Sequence, residues 1–239
     1  MLKVRIKFRK YGAMKFIGHL DMMRYFQKAM RRAGIPIAFS GGYSPHMIMS
    51  FANPLGVGLT SEGEYFDIEL TRPMATKEAI EALNNAMVEG VEVTGFAELL
   101  EEQKTGMSIV AAADYLITFP DGDFTEDLKK RASEFLSQKE ILIMKKTKRS
   151  EQEVDILPLI HQLEVRGDAM YMFVCAGSAK NLKPELVMEA FFAYALADGK
   201  SIRYACQRLD NYAEISEGSE VRYVPLLLLG REIEARGGE

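Results

Sequence analysis

Apolar residues alternate with cations at the start of the chain. Leu2, Val4, Ile6 and Phe8 fall on one side, and Lys3, Arg5 and Lys7 on the other. A period of two predicts a strand with one buried face and one basic face. Tyr11-Gly12-Ala13 then turns the chain. Over residues 19–33 the period becomes 3.6. Met22, Met23, Phe26, Ala29, Met30 and Ala33 share one arc of a helix, while Arg24, Lys28, Arg31 and Arg32 share the opposite arc beside Asp21. An acid in the first turn and cations toward the other end both suit the helix dipole, and Gly34 supplies the stop. Short strands are expected over 35–39 and 47–51, separated by the loop Ser40-Gly41-Gly42-Tyr43-Ser44-Pro45-His46. An irregular segment over 52–63 leads to a strand over 64–70, an amphipathic helix over 76–87 and a strand over 91–99.

Residues 101–108 are polar, contain Gly106 and show no periodicity, so they read as a boundary. The rhythm then restarts: strand 115–119, helix 125–137, strand 140–145, a basic turn over 145–149, an extended stretch over 154–164, strand 170–176, and a helix over 183–196 with Pro184 in its first turn. The tail ends in Val224-Pro225-Leu226-Leu227-Leu228-Leu229, which is expected to pack against the body rather than stand as an exposed docking patch. Twice, strands and helices follow the β-α-β order of a ferredoxin-like sandwich. The expected fold is α+β: two ferredoxin-like αβ sandwiches in tandem, over 1–102 and 109–239. Each would be an antiparallel sheet with helices packed on one face.

Charge sharpens this picture. The first fifty residues carry ten Lys/Arg and one acid, Asp21, so that segment bears +9 while the whole chain of 239 residues bears −4. In such a sandwich the face away from the helices can stay open, which would make Lys3, Arg5 and Lys7 a second basic surface beside Arg24, Lys28, Arg31 and Arg32. A concentrated positive field attracts phosphate backbones, so RNA is the expected partner. Two cysteines, Cys175 and Cys206, form no disulfide framework and suggest a reducing compartment. No run reaches the ~18 apolar residues of a membrane span, and the start lacks a signal-peptide pattern. A cytoplasmic protein without membrane contact is expected.

Candidate chemistry is sparse. His19 sits at the helix entrance and His46 ends the glycine-rich loop. Close together they would form an acid/base pair on an RNA phosphodiester; apart, they are one structural histidine and one exposed one. Tyr43, beside His46, could stack on a base or close the sheet edge. Asp155 interrupts an apolar stretch and needs a partner if buried, with Arg166 or the basic turn as candidates. No dinucleotide fingerprint, phosphate-loop lysine, paired metal-ligand spacing or cysteine cluster is present, so no cofactor or metal is expected.

Several segments resemble a known family. Phe16-Ile17-Gly18-His19-Leu20-Asp21, Arg24, Ala29-Met30-Arg31-Arg32-Ala33-Gly34, Phe39-Ser40-Gly41-Gly42-Tyr43-Ser44-Pro45-His46 and Thr60-Ser61-Glu62-Gly63-Glu64 are similar to the bacterial radical-SAM-linked domain of unknown function. Val154-Asp155-Ile156-Leu157-Pro158-Leu159-Ile160 and Leu182-Lys183-Pro184-Glu185-Leu186-Val187 extend the likeness to about residue 195. It departs at Leu157, where the family often has Arg. The family's domain stands alone or is joined to the C-terminus of a cobalamin-binding radical-SAM protein, and its genes often lie near those for a ribonuclease and ribosomal proteins. The resemblance therefore implies RNA modification or ribosome biology, with a radical-SAM enzyme as partner. It puts His19, Asp21, Arg24, Ser40, His46, Ser61 and Glu62 at motif positions. The radical-SAM cysteine triad is missing, so the expected role is an RNA-binding or substrate-presenting accessory protein. The alternatives are a metal-independent RNA-processing enzyme using His19 and His46, or a scaffold docking its partner through the apolar tail.

Overall fold

Strand β1 (Leu2–Lys10) follows the alternation, with Val4, Ile6 and Phe8 buried on one face. A computed structural model describes residues 1–100, 103–146, 151–196, 200–218 and 220–235, with the side chains of 145 and 146 left aside. The architecture is α+β, with a large mixed sheet flanked by helices. By contacts the chain divides into two compact units, Met1–Ala111 with Asp210–Glu239, and Ala112–Leu209. The boundary expected over 101–108 lies just ahead of the first junction, and from Asp210 the chain is back in the first unit.

The first unit continues with helix α1 (His19–Arg32), strands β2 (Met49–Phe51) and β3 (Thr60–Leu70), helix α2 (Thr76–Asn85), strand β4 (Val91–Glu98) and the one-turn helix α3 (Gly106–Ile109). Strand order is β4-β1-β3, with β2 paired to β3, and these pairings are antiparallel. Met22, Phe26, Ala29 and Met30 of α1 and Ala79 and Leu83 of α2 are buried with Val4, Ile6 and Phe8. Phe8, Phe26, Phe51 and Phe66 form the centre: Phe8–Phe26 centroids lie 4.7 Å apart and Phe26–Phe66 4.6 Å. Each such ring contact is worth roughly 0.5–1.5 kcal/mol beyond burial. Gly34 takes φ +65° just past α1, the left-handed conformation that ends the helix. Residues 35–39 make isolated bridges, Ile37 to Leu70 and Phe39 to Met47, rather than the short strand expected there.

The other face of β1 is not open, contrary to expectation. Arg5 is fully buried and Lys7 half-buried. That face is covered within the unit by the returning C-terminal segment and by α3. Leu226 is buried, and Leu227 packs on Gly95, where an added Cβ would come within 2.8 Å of both its methyl carbons. The apolar tail thus packs against the body as a 3-10 turn, Leu226–Leu229, with Leu228 exposed.

The second unit holds strand β5 (Val110–Thr118), which starts two residues before the division, then helix α4 (Glu126–Glu134), the hairpin β6 (Leu142–Lys146) and β7 (Glu151–Asp155), strands β8 (Ile160–Arg166) and β9 (Ala169–Cys175), and helix α5 (Pro184–Ala195). Strand β10 (Ala205–Glu217) begins here, and the order is β10-β5-β9-β8. Thr125 caps α4, its Oγ1 accepting from the Leu128 N–H, and Pro184 opens α5. The stretch expected to be continuous over 154–164 is broken by a 3-10 turn, Leu157–Leu159, that separates β7 from β8. In the first unit, β10 continues and pairs with β11 (Glu220–Pro225). No helix among the described residues is long and apolar enough to cross a membrane.

Candidate nucleic-acid interface

Removing a charge from water is tolerated only with a partner. Arg5 therefore meets Asp67 in a two-pronged contact, Nε to Oδ1 at 2.8 Å and Nη2 to Oδ2 at 3.0 Å, and its Nη1 donates to the Leu226 carbonyl at 3.2 Å. Asp67 also accepts from the Gly106 N–H at 2.6 Å. Lys7 Nζ donates to Asp210 at 2.7 Å, and the Tyr65 hydroxyl donates to the same carboxylate at 2.6 Å. Burial first, and the Asp210 charge second, push the Tyr65 hydroxyl far above its ordinary pKa. Arg9 lies between Glu62 and Glu92, at 3.1 and 3.0 Å, and its hydrogen bond with Glu62 holds the guanidinium above its ordinary pKa. The charge excess of β1 is thus largely offset in three dimensions by acids of β3, β4 and β10. Of the three strand cations Lys3, Arg5 and Lys7, Lys3 alone is exposed.

Helix α1 keeps its charge. Arg24, Lys28, Arg31 and Arg32 are all exposed. Arg24 reaches Asp21 at 3.1 Å with both side chains about two-thirds exposed, a contact that water screens. Arg32 donates to the Ala86 carbonyl at 2.8 Å, and Lys28 and Arg31 have no ion-pair partner among the described residues. Lys28 stands four residues after Arg24 and three and four before Arg31 and Arg32. Like charges at these spacings cost a few tenths of a kcal/mol each. The stripe is a surface maintained against its own repulsion.

The histidines occupy different places. His19, half-buried, is the first residue of α1, its ring edge-on to Phe51 at 5.0 Å. It lines a small cavity with the buried Lys10 and Glu64. His46 is exposed and pins the loop: Ser40 Oγ contacts its Nδ1 at 2.8 Å and accepts from its backbone N–H at 3.1 Å, while the Ser40 N–H donates to the His46 carbonyl at 2.8 Å. His46 lines a second cavity with Lys3 and Glu69. The two rings line different cavities. Tyr43, in the middle of the loop, is fully exposed. Ser61 is buried, its Oγ accepting from the Gly63 N–H at 3.1 Å. Asp155 accepts from the Ile141 and Leu157 N–H groups at 2.9 and 3.0 Å, so backbone supplies the partners expected from Arg166, which pairs with Glu164. Residues 147–150 of the basic turn lie outside the described residues. Among those described, no group of three His, Cys, Asp or Glu residues is placed to hold a metal ion.

Asp67, Glu92 and Asp210 were not singled out from sequence. One signal was available for Asp67. Acids at 67 and 69 have the strand period and face Arg5 and Lys3 in the antiparallel register of β3 against β1. Asp210 carried no comparable signal, because its partners Lys7 and Tyr65 lie 203 and 145 residues away.

The family model described as an uncharacterized protein conserved in bacteria, DUF2344, matches residues 3–184. The chain belongs to this family. DUF2344 is linked to cobalamin-binding radical-SAM proteins in bacteria, in agreement with the resemblance carried by the His19 and His46 motifs. No curated protein matches the sequence. A solved chain in "Crystal Structure of a Cbf5-Nop10-Gar1 Complex" is similar to 87% of this chain at 11% identity and a TM-score of 0.45. This chain matches 48% of that chain's length. A likeness of that strength carries neither fold nor function across.

Proposed function

We propose that this member of DUF2344 is an RNA-binding, substrate-presenting accessory protein for a radical-SAM RNA-modification enzyme, and that Arg24, Lys28, Arg31 and Arg32 of α1 are its phosphate-contacting surface. One observation carries the reading: these cations all stay exposed and Lys28, Arg31 and Arg32 meet no carboxylate among the described residues, whereas Arg5, Lys7 and Arg9 are each matched by one. The family's link to radical-SAM proteins supports the partner class. We read the order β4-β1-β3-β2 in the first unit and β10-β5-β9-β8 in the second as two ferredoxin-like sheets, the second with the β6-β7 hairpin inserted. On this reading Lys3, Tyr43 and His46 contribute at the rim, and Arg5 and Lys7 hold the scaffold.

The rival reading, RNA cleavage by His19 and His46, requires both rings on one phosphodiester, and they line separate cavities. Docking a partner through the tail requires a continuous exposed apolar surface, and of its four leucines Leu226 is buried, Leu227 and Leu229 are half-buried and Leu228 alone is exposed. The test is binding of the full chain to single-stranded and duplex RNA, with the Lys28→Ala/Arg31→Ala/Arg32→Ala variant alongside. Phosphate contacts predict weakening that is uniform across RNA sequences. Unchanged affinity in the variant would reject this surface.

A further inference from the structure

A cavity of about 200 Å³ lies beside the Ser40–His46 loop, within the first unit. A cavity of ~150 Å³ holds a benzene ring, so this one is sized for a single planar heterocycle. Ile48, Met49 and Leu99 give it apolar walls. Asp67 also lines it, but its oxygens are taken by Arg5 and the Gly106 N–H. Glu69 is different: it stands directly across from Lys3 in the β1–β3 register and has no side-chain partner among the described residues. Ser50 and Thr105 add hydroxyls, and the exposed Lys3 and His46 add two basic groups. Apolar walls, a polar edge led by a carboxylate, and basic groups beside them match the three parts of a nucleotide: ring faces, ring edge and phosphate.

We infer that this cavity receives one unstacked nucleobase of an RNA strand. This rests on the RNA-binding reading above and names what that surface would present. Ile48, Met49 and Leu99 lie against the ring, and Lys3 and His46 meet the adjoining phosphate. The Glu69 carboxylate can only accept hydrogen bonds, so it selects bases bearing an exocyclic amino group. Cytidine, adenosine and guanosine, which carry one, are taken over uridine, whose ring edge offers only the N3–H. The loop's backbone and side-chain bonds between Ser40 and His46 fix the rim before a base arrives, which limits the ordering cost of binding.

Methionine methyl labelling of the full chain reads this directly, with the Met49 signal assigned by its loss in Met49→Leu. Free cytidine is expected to shift the Met49 methyl, with uridine weaker by roughly tenfold. Thr105→Trp, at an exposed lining position, should abolish the shift. Should that variant fail to fold, Glu69→Gln should still bring cytidine and uridine to similar affinity. No Met49 shift with either nucleoside at tens of millimolar, or equal shifts from both in the parent chain, would overturn the inference. The α1 triple variant should leave the nucleoside response unchanged, which separates the two proposals. Salt-sensitive RNA binding with a silent cavity would retire the base pocket alone. A nucleoside response without salt-sensitive RNA binding would reject RNA as the source of the base, and with it the α1 reading.

Discussion

Arg5 and Asp67 show most directly how a cation in the sequence becomes part of the interior. Their pairing is buried and two-pronged, so removing one partner strands a charge without water. Asp67→Ala is expected to cost about 3–5 kcal/mol of stability, measured by urea unfolding. Three tyrosines carry a further expectation. Burial leads in raising each hydroxyl: Tyr171 and Tyr204 are pushed up to about 12, and Tyr65 further still. Asp114 adds to the effect at Tyr171 and Glu185 at Tyr204. A pKa raised in the folded state means that the fold binds the proton more tightly than the unfolded chain does. Their contribution to stability is therefore complete below the ordinary tyrosine value of about 10 and is lost as pH rises through the folded values. Ultraviolet titration of the ten tyrosines should show a late, steep phase coincident with unfolding. Ionisation of all ten near pH 10 with the fold intact would contradict this. At this scale Val4, Ile6 and Phe8 were legible as core from alternation alone. Arg5 was not, because alternation reports polarity and says nothing of a partner sixty-two positions away.

Helix α1 was legible almost residue for residue, since a 3.6-residue period, an acid at the start and Gly34 at the end all agree. Its buried and charged arcs are the ones the pattern separates. Strand β3 was read four residues short, because Gly63 and the polar run at 60–62 obscured a strand that starts at Thr60. The 35–39 segment was overread: Ile35, Ile37 and Ala38 are buried and Phe39 is exposed, with isolated bridges at Ile37 and Phe39 rather than a ladder. Like-charge repulsion along α1 leads to a measurable opposition between stability and binding. Lys28→Glu converts contacts with Arg24, Arg31 and Arg32 from repulsive to attractive and should stabilise the chain by about 0.5 kcal/mol. The same change should weaken RNA binding more than Lys28→Ala does. A variant that loses stability and keeps its affinity would show that the stripe serves the helix rather than a ligand.

Across the whole molecule, the segregation of charge along the chain was the strongest functional signal, and folding redistributes it. Asp67, Asp210, Glu62 and Glu92 offset β1, so a segment of +9 presents a much smaller exposed charge concentrated on α1. The return of the C-terminal segment to the first unit was not legible, because Asp210 and Leu226 meet β1 through contacts more than two hundred residues long. That return closes the sheet face expected to be open, and it leaves α1 as the basic surface on which the proposed function rests. The measurement that tests this most directly is the salt dependence of RNA affinity. Each phosphate contact on a single strand contributes a slope of about −0.7 in log K against log salt. Replacing Lys28, Arg31 and Arg32 by alanine should therefore make the parent's negative slope shallower by about two. Replacing the exposed Arg72 in the same unit should leave it unchanged. Equal slopes for the parent chain and the triple variant would contradict the account.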